Sequence, residues 1–417
     1  MGKVVTLIIC FSIVFSLNGR TKLDSLLADI KNNPSDTSKS ISCSLAAFEY
    51  ILANKGDSAV SIAAKGFEIA KRKNFLKGMA KCLVNEGIGY TVKNDAAKAK
   101  DFFHHAEEIW FKLLKSSNKK DQYFANVGLG SLYNNFAIQY SNNGDLHEAL
   151  LYYNKSLQHR KLAADKAAIA NSCNNISVIH ADLGNISVAI EFCFQALKIY
   201  EELKDSLRIG RVFGNLGLYS ESLNEYGSSL DYTAKALQIG RRFGNSALVG
   251  SSLNNMGSVY LKTARAKEAI ECFNEALEIY KKIGNIMEQS NIISNLGSLY
   301  LRTGDKKSAY KHLMNSLPLK REIEDKAGES IALGNIAEYF FESKDYKRCV
   351  AYADSALMVA VPLGSIEDMK DFHKTLSKAW SKMADYDKAL FHYEQHILLR
   401  DSVMKEENKK AGIKKQL

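Results

Sequence analysis

Residues 254–260 read Asn-Asn-Met-Gly-Ser-Val-Tyr, and close variants of this heptad recur along the chain at a fixed interval. The matching segments are NNFAIQY (134–140), NNISVIH (174–180), GNLGLYS (214–220), SNLGSLY (294–300) and GNIAEYF (334–340). Their second residues are Asn135, Asn175, Asn215, Asn255, Asn295 and Asn335, each 40 positions after the last. A seventh copy has Thr375 in that place. Self-similarity at a period of 20–50 residues marks an array of supersecondary units.

Other positions keep the same step. Two residues after each Asn stand Ala137, Ser177, Gly217, Gly257, Gly297, Ala337 and Ser377. Five after it come Tyr140, His180, Ser220, Tyr260, Tyr300, Phe340 and Trp380, mostly large and aromatic. Fourteen after it are Ala149, Ala189, Ser229, Ala269, Ala309, Cys349 and Ala389. Small residues on one helix facing large ones on another let the two approach closely. Turn signals such as Asn143-Gly144-Asp145 and Thr303-Gly304-Asp305 separate the helices of a unit, and Asp165, Asp205, Asn245, Asn285 and Asp325 mark the boundaries between units. Each unit is therefore a helical hairpin.

Composition agrees. Only three prolines stand in 417 residues, where about 20 would be average, so long uninterrupted helices are permitted. A hydrophobic share of 46% with 24% charged residues excludes wholesale disorder. No Pro/Gly/Ser-rich linker divides the chain.

The small residue and Tyr of the first helix, the Gly-Asp turn and the Ala…Ala-Leu of the second resemble the tetratricopeptide repeat, in a variant with 40 residues per unit instead of 34. The resemblance implies an all-α fold: a right-handed superhelical solenoid of antiparallel helix hairpins. Seven regular units are expected over 129–399. Looser hairpins of the same kind are expected over 20–128, around Asn85-Glu86-Gly87 and around Leu45 to Lys71 with Gly56-Asp57 as the turn. Since 50 residues separate Asn85 from Asn135, something in that unit is extended.

In this family the first helices line a concave groove that receives an extended peptide or a partner helix. Asn135, Asn175, Asn215, Asn255, Asn295 and Asn335, broadened by Asn134, Asn174 and Asn254, are the candidate peptide-binding residues. An amide offers donors and an acceptor to a peptide backbone. The same amides also suit a second role, bonding to the neighbouring repeat and fixing the stacking angle. Arg211, Lys262 and Arg302 are added as candidate groove cations, with Lys374, Lys378 and Lys382 further on, against Asp182, Glu221, Glu338 and Glu342.

Catalytic signals are poor: no phosphate loop, no H-E-x-x-H and no G-x-S-x-G is present. The chain reads as non-enzymatic, with no cofactor and no metal. His392 and His396 have metal-ligand spacing but no third ligand nearby in sequence. The net charge, 56 basic against 46 acidic residues or +10, lacks the basic–aromatic clustering of a nucleic-acid binder.

The two ends suggest an address. Residues 1–19 carry one Lys and an apolar run from Val4 to Leu17; they read as a secretory signal, which makes the protein exported and extracytoplasmic or periplasmic. Six cysteines then remain, widely scattered and read as buried free thiols, with Cys173 and Cys193 the one pairing to test. Residues 400–417 form a basic helical stalk. Arg400-Asp401-Ser402 and Glu406-Glu407-Asn408-Lys409-Lys410 resemble the segment that, in a family of bacterial membrane signalling proteins, links an exported repeat array to a membrane helix and an output domain. That resemblance implies membrane association through a segment beyond Leu417, and a histidine kinase, nucleotide cyclase or helix-turn-helix output there.

Overall fold

A computed structural model describes residues 21–414, and every element among them is an α-helix. The expected signal segment lies outside the described residues. In chain order the helices are α1 (Lys22–Asn32), α2 (Asp36–Leu52), α3 (Gly56–Arg72), α4 (Leu76–Val92), α5 (Ala96–Leu114), α6 (Lys119–Asn142), α7 (Leu146–Leu162), α8 (Lys166–Asp182), α9 (Ile186–Glu202) and α10 (Ser206–Ser222). There follow α11 (Tyr226–Arg242), α12 (Ser246–Lys262), α13 (Ala266–Lys282), α14 (Ile286–Thr303), α15 (Lys306–Glu322), α16 (Lys326–Glu342), α17 (Tyr346–Leu363), α18 (Ile366–Lys382) and α19 (Tyr386–Lys414). After α1 they pair as nine hairpins, each even-numbered helix with the odd one that follows. This is the all-α solenoid class that the resemblance implies.

The described residues fall into two compact units, one up to Asn215 and one from Leu216 onward. In the first, one core holds Phe103, Trp110, Leu129, Leu132 and Phe136, and a smaller one holds Ile30, Cys43, Ala46 and Ile69. In the second, one core gathers Leu253, Phe273, Tyr280, Ile292 and Leu296, and another Leu313, Ile336, Phe340, Phe372 and Leu376.

The chain's local chemistry explains the helix limits. Asp165, Asp205, Asn245, Asn285 and Asp325 each accept the backbone N–H three residues on, at 2.8–3.1 Å. Such a side chain satisfies one donor that the first helical turn leaves open. Helices end on a left-handed residue, at Gly144, Ala164, Gly184, Lys204, Asn224, Gly244, Ala264 and so on every 20 positions to Ala384. α15 runs through Pro318 and α17 through Pro362 without ending.

Packing explains the small residues of the heptad. A Cβ on Gly257 would lie 2.6 Å from Phe273 Cε1, and one on Gly297 would lie 2.6 Å from Leu313 Cδ2. Gly87 meets Phe103 in the same way, at 2.4 Å. The partner stands 16 positions later each time, so the two helices of a hairpin close on the small residue. The Ala/Ser/Cys series from Ala149 to Ala389 is buried throughout.

The 50-residue step from Asn85 to Asn135 is now placed. α5 has 19 residues where the second helices from α7 to α17 have 17 or 18, and α6 has 24, starting 16 positions before Asn135, whereas α8 starts nine before Asn175. α6 thus begins at Lys119, ahead of the boundary expected at 129.

Candidate functional site

Even-numbered helices lie side by side, as α2, α4 and α6 do in the first unit and α14, α16 and α18 in the second. The repeated asparagines stand on these helices, half-buried. Asn175 Nδ2 donates to Asn134 Oδ1 at 3.1 Å, Asn215 Nδ2 to Asn174 Oδ1 at 3.1 Å, and Asn295 Nδ2 to Asn254 Oδ1 at 3.4 Å. Each bond joins one repeat to the one before it across 41 positions. Asn85 follows the same rule, donating to the Ser44 carbonyl at 2.7 Å and to Ser44 Oγ at 3.0 Å. Where the preceding repeat offers no amide, at Gly214 and Ser294, the ladder changes, and Asn255 and Asn335 stand without that bond. Asn135 faces a cavity instead.

These bonds give the asparagines a stacking role, and they leave capacity over. One N–H of Asn175, its Oδ1 and the amide nitrogen of Asn134 remain uncommitted, and the same holds for the other two pairs.

The cations divide. Lys262 Nζ lies 2.9 Å from Glu221 Oε1, which also accepts from Ser258 Oγ at 2.6 Å, and the Glu221 carboxylate is buried. Lys262 therefore neutralises an acid of the neighbouring repeat, with its side chain still 46% exposed. Arg211 and Arg302 are exposed and make no ion pair among the described residues, and neither do Lys374, Lys378 and Lys382 on α18. His396 Nδ1 bonds to the Lys370 carbonyl at 2.9 Å, whereas His392 Nδ1 meets His373 Nδ1 at 2.9 Å. Burial and the two neighbouring imidazoles hold His373 down at about 4. Among the described residues, no group of three His, Cys, Asp or Glu side chains is placed to hold a metal, and no helix is long and apolar enough to cross a membrane. The six described cysteines are free thiols, five of them buried. Cys193 Sγ donates to Ser177 Oγ at 3.3 Å, and Cys173 is not bridged to it.

Sequence periodicity did not reveal the two cavities of the first unit. One, of about 340 Å³, is lined by Leu45 and Phe48 of α2, Lys77, Lys81 and Val84 of α4, Trp110 of α5, and Tyr123, Phe124 and Val127 of α6. The other, of about 520 Å³, continues along the same four helices past Phe48 to Ile88, Val92, Phe103, Asn135, Ile138 and Asn142. Tyr123 and Phe124 belong to the extra turns of α6. Gly128 sits directly on the indole of Trp110, where a Cβ would be 2.3 Å from Cε2.

The hairpin array and its half-buried amide ladder define a repeat protein whose even-numbered helices present a polar face. Residues 169–203 and 208–282 each match a family described as Tetratricopeptide repeat; the chain carries tetratricopeptide repeats. No curated protein matches the sequence. Among solved structures, a Rap protein complexed with competence and sporulation factor is similar with a TM-score of 0.61 at 14% identity, over 88% of this chain and 99% of that one. The apo form of the quorum sensor NprR from B. thuringiensis gives 0.62 at 15% identity, covering 86% and 97%. The Rap conjugation gene regulator of the plasmid pLS20, in complex with the Phr* peptide, gives 0.56 at 12% identity, covering 87% and 95%. At such identities the likeness is one of fold.

Proposed function

We propose that this protein is a non-enzymatic binding module that holds an extended peptide, or an extended segment of a partner protein, along its even-numbered helices. The observation that carries the reading is the amide ladder: Asn134, Asn174 and Asn254 with Asn175, Asn215 and Asn295 join the repeats and still present free donors and acceptors. Amides that address a peptide backbone give affinity without reading sequence. The free cations Arg211, Arg302, Lys374, Lys378 and Lys382 add a preference for acidic ligand segments. Two of the fold's relatives are complexes, one with a factor and one with a peptide, which supports a ligand of this kind.

Asn255 and Asn335 supply the clean test, because they carry no inter-repeat amide bond. Peptides enriched by display panning against the full chain are expected to bind an Asn255→Ala/Asn335→Ala variant at least tenfold more weakly, with its melting temperature unchanged. Undiminished binding would sink the ladder reading.

A second reading, the sensor half of an exported membrane signalling protein, draws on α19. It runs 29 residues where the other second helices from α7 onward have 17 or 18, in the manner of a stalk. The reading frame beyond Leu417 tests it: an apolar stretch of about 20 residues within the next few dozen positions is expected, and its absence removes this reading.

A further inference from the structure

We propose that the cleft between α2, α4 and α6 is a separate anchor site, built for a peptide segment that carries a bulky aliphatic or aromatic side chain next to a carboxylate. The proposal rests on the peptide-binding reading for the class of ligand, but it uses other residues. Leu45, Phe48 and Tyr123 stand 46%, 45% and 48% exposed at its wall, an apolar surface that folding has left in water. The two cavities, of about 340 and 520 Å³, adjoin at Phe48, and each has room for a large side chain.

Charge decides what kind of side chain. Lys77 and Lys81 line the first cavity, and neither has a carboxylate partner among the described residues. Lys77 Nζ lies 2.9 Å from the centroid of the Phe124 ring. Lys81 and Lys120 bear on it from nearby, against the single acid Asp121, whose carboxylate accepts from Ser116 Oγ. Partial burial and these two cations push the Lys77 ammonium below its ordinary range, and the cavity wall presents two ammonium groups without a paired carboxylate, a place for a negative charge. Below the wall, the buried indole N–H of Trp110 finds no acceptor.

The chain's own residues 1–20 hold an apolar run but no Asp or Glu, so they cannot supply that charge. A fatty acid would supply it but has no groups for Asn54, Asn94, Asn135 and Asn142, the amides of the second cavity. A peptide has both.

The test uses the full chain and two fluorescein-labelled nonapeptides, one with Leu and Phe flanked by two Glu and one with Gln in place of each Glu, read by anisotropy. The Glu peptide is expected to bind at least tenfold tighter than the Gln peptide. Lys81→Glu should erase that difference, while Phe48→Ser should weaken both peptides about tenfold. Lys81 and Phe48 are both exposed, so neither variant threatens the fold. Equal binding of the two peptides, or an unchanged preference in Lys81→Glu, overturns the proposal. So do binding seen only after removal of residues 1–20, a cleft taken by oleate but by neither peptide, and self-association that Phe48→Ser abolishes. If peptide capture responds to Asn255→Ala/Asn335→Ala and not to Lys81→Glu, the ladder reading survives and the anchor does not.

Discussion

Replacing Gly257 by Ala tests how the hairpins are held together. In a helix interior, the change should stabilise by about 1 kcal/mol through backbone entropy. Here the new methyl would sit 2.6, 2.8 and 3.0 Å from three atoms of the Phe273 ring, which is fully buried and has no room to swing away. Overpacking of this kind costs about 1–3 kcal/mol, so the net effect is a loss of about 1 kcal/mol. Phe273→Ala alone should cost about 3–5 kcal/mol for the cavity it leaves. In that background the added methyl enters vacated space, and Gly257→Ala turns stabilising by about 1 kcal/mol. The two changes should therefore couple by about 2 kcal/mol. The chain itself holds the compensated pair two hairpins further on, since Ala337 and Ala353 occupy the matching positions and both are fully buried. A repeat array opens locally, so the readout is native-state hydrogen exchange at the core amides of α12 and α13, for the two single variants and the double. Gly257→Ala stabilising equally in both backgrounds would refute close packing as the reason for a small residue at this position.

Three further outcomes are expected. A double-mutant cycle of Asn174→Ala and Asn215→Ala in urea should show coupling of about 1 kcal/mol for their inter-repeat bond, whereas the same cycle for Ser294→Ala and Asn335→Ala, which share no such bond, should show none. Ala264→Gly should raise stability by about 1 kcal/mol, because Ala264 holds a φ of 59° that an L side chain adopts at a cost; a lower melting temperature would contradict this. His373, at about 4 when folded against an ordinary 6.5, binds its proton more readily in the unfolded chain, so its contribution is present above pH 6.5 and is lost as pH falls toward 4. Buried Glu86, raised by burial and Glu68 to about 7, acts in the opposite sense, stabilising at low pH and losing that contribution as pH rises through 7. The readout is thus a difference: between pH 7 and pH 4.5, His373→Phe should lose less melting temperature than the parent chain, and Glu86→Gln should lose more.

How far the sequence carries depends on what repeats. The 40-residue step exposed the hairpins because every unit meets the same packing problem, and Gly87, Gly257 and Gly297 solve it with the same absent side chain. The caps at Asp165 through Asp325 were legible for the same reason. The ladder was half legible. Its residues could be named from their period, but the choice between stacking and binding turned on a bond to the residue one place short of the period, Asn175 to Asn134, which alignment in register does not display. The pairing of Lys262 was illegible for the same reason, since its partner Glu221 stands 41 positions earlier and reads as a second, opposing charge until the two are seen at 2.9 Å. His373, the real neighbour of His392, lies on the other helix of its hairpin and carries no spacing signal.

The cleft of the first unit was illegible because it comes from a departure from the repeat. Ten residues beyond the usual step are absorbed by α5, by the loop after it and by the first turns of α6. Those turns bring Tyr123 and Phe124 opposite α2 and α4, a position for which the regular units have no counterpart. A repeat buries its apolar face against the next one, and where the step is kept the even-numbered helices carry half-buried amides and scattered charge, with single exposed apolar side chains such as Leu218 and Ile331. Where the step is broken, three exposed large apolar side chains, Leu45, Phe48 and Tyr123, gather at one cavity. On the proposed reading, the amides of the regular repeats would address a backbone common to all peptides, and the irregular cleft would address particular side chains. On that proposal, selectivity would belong to the part of the chain whose sequence breaks the period.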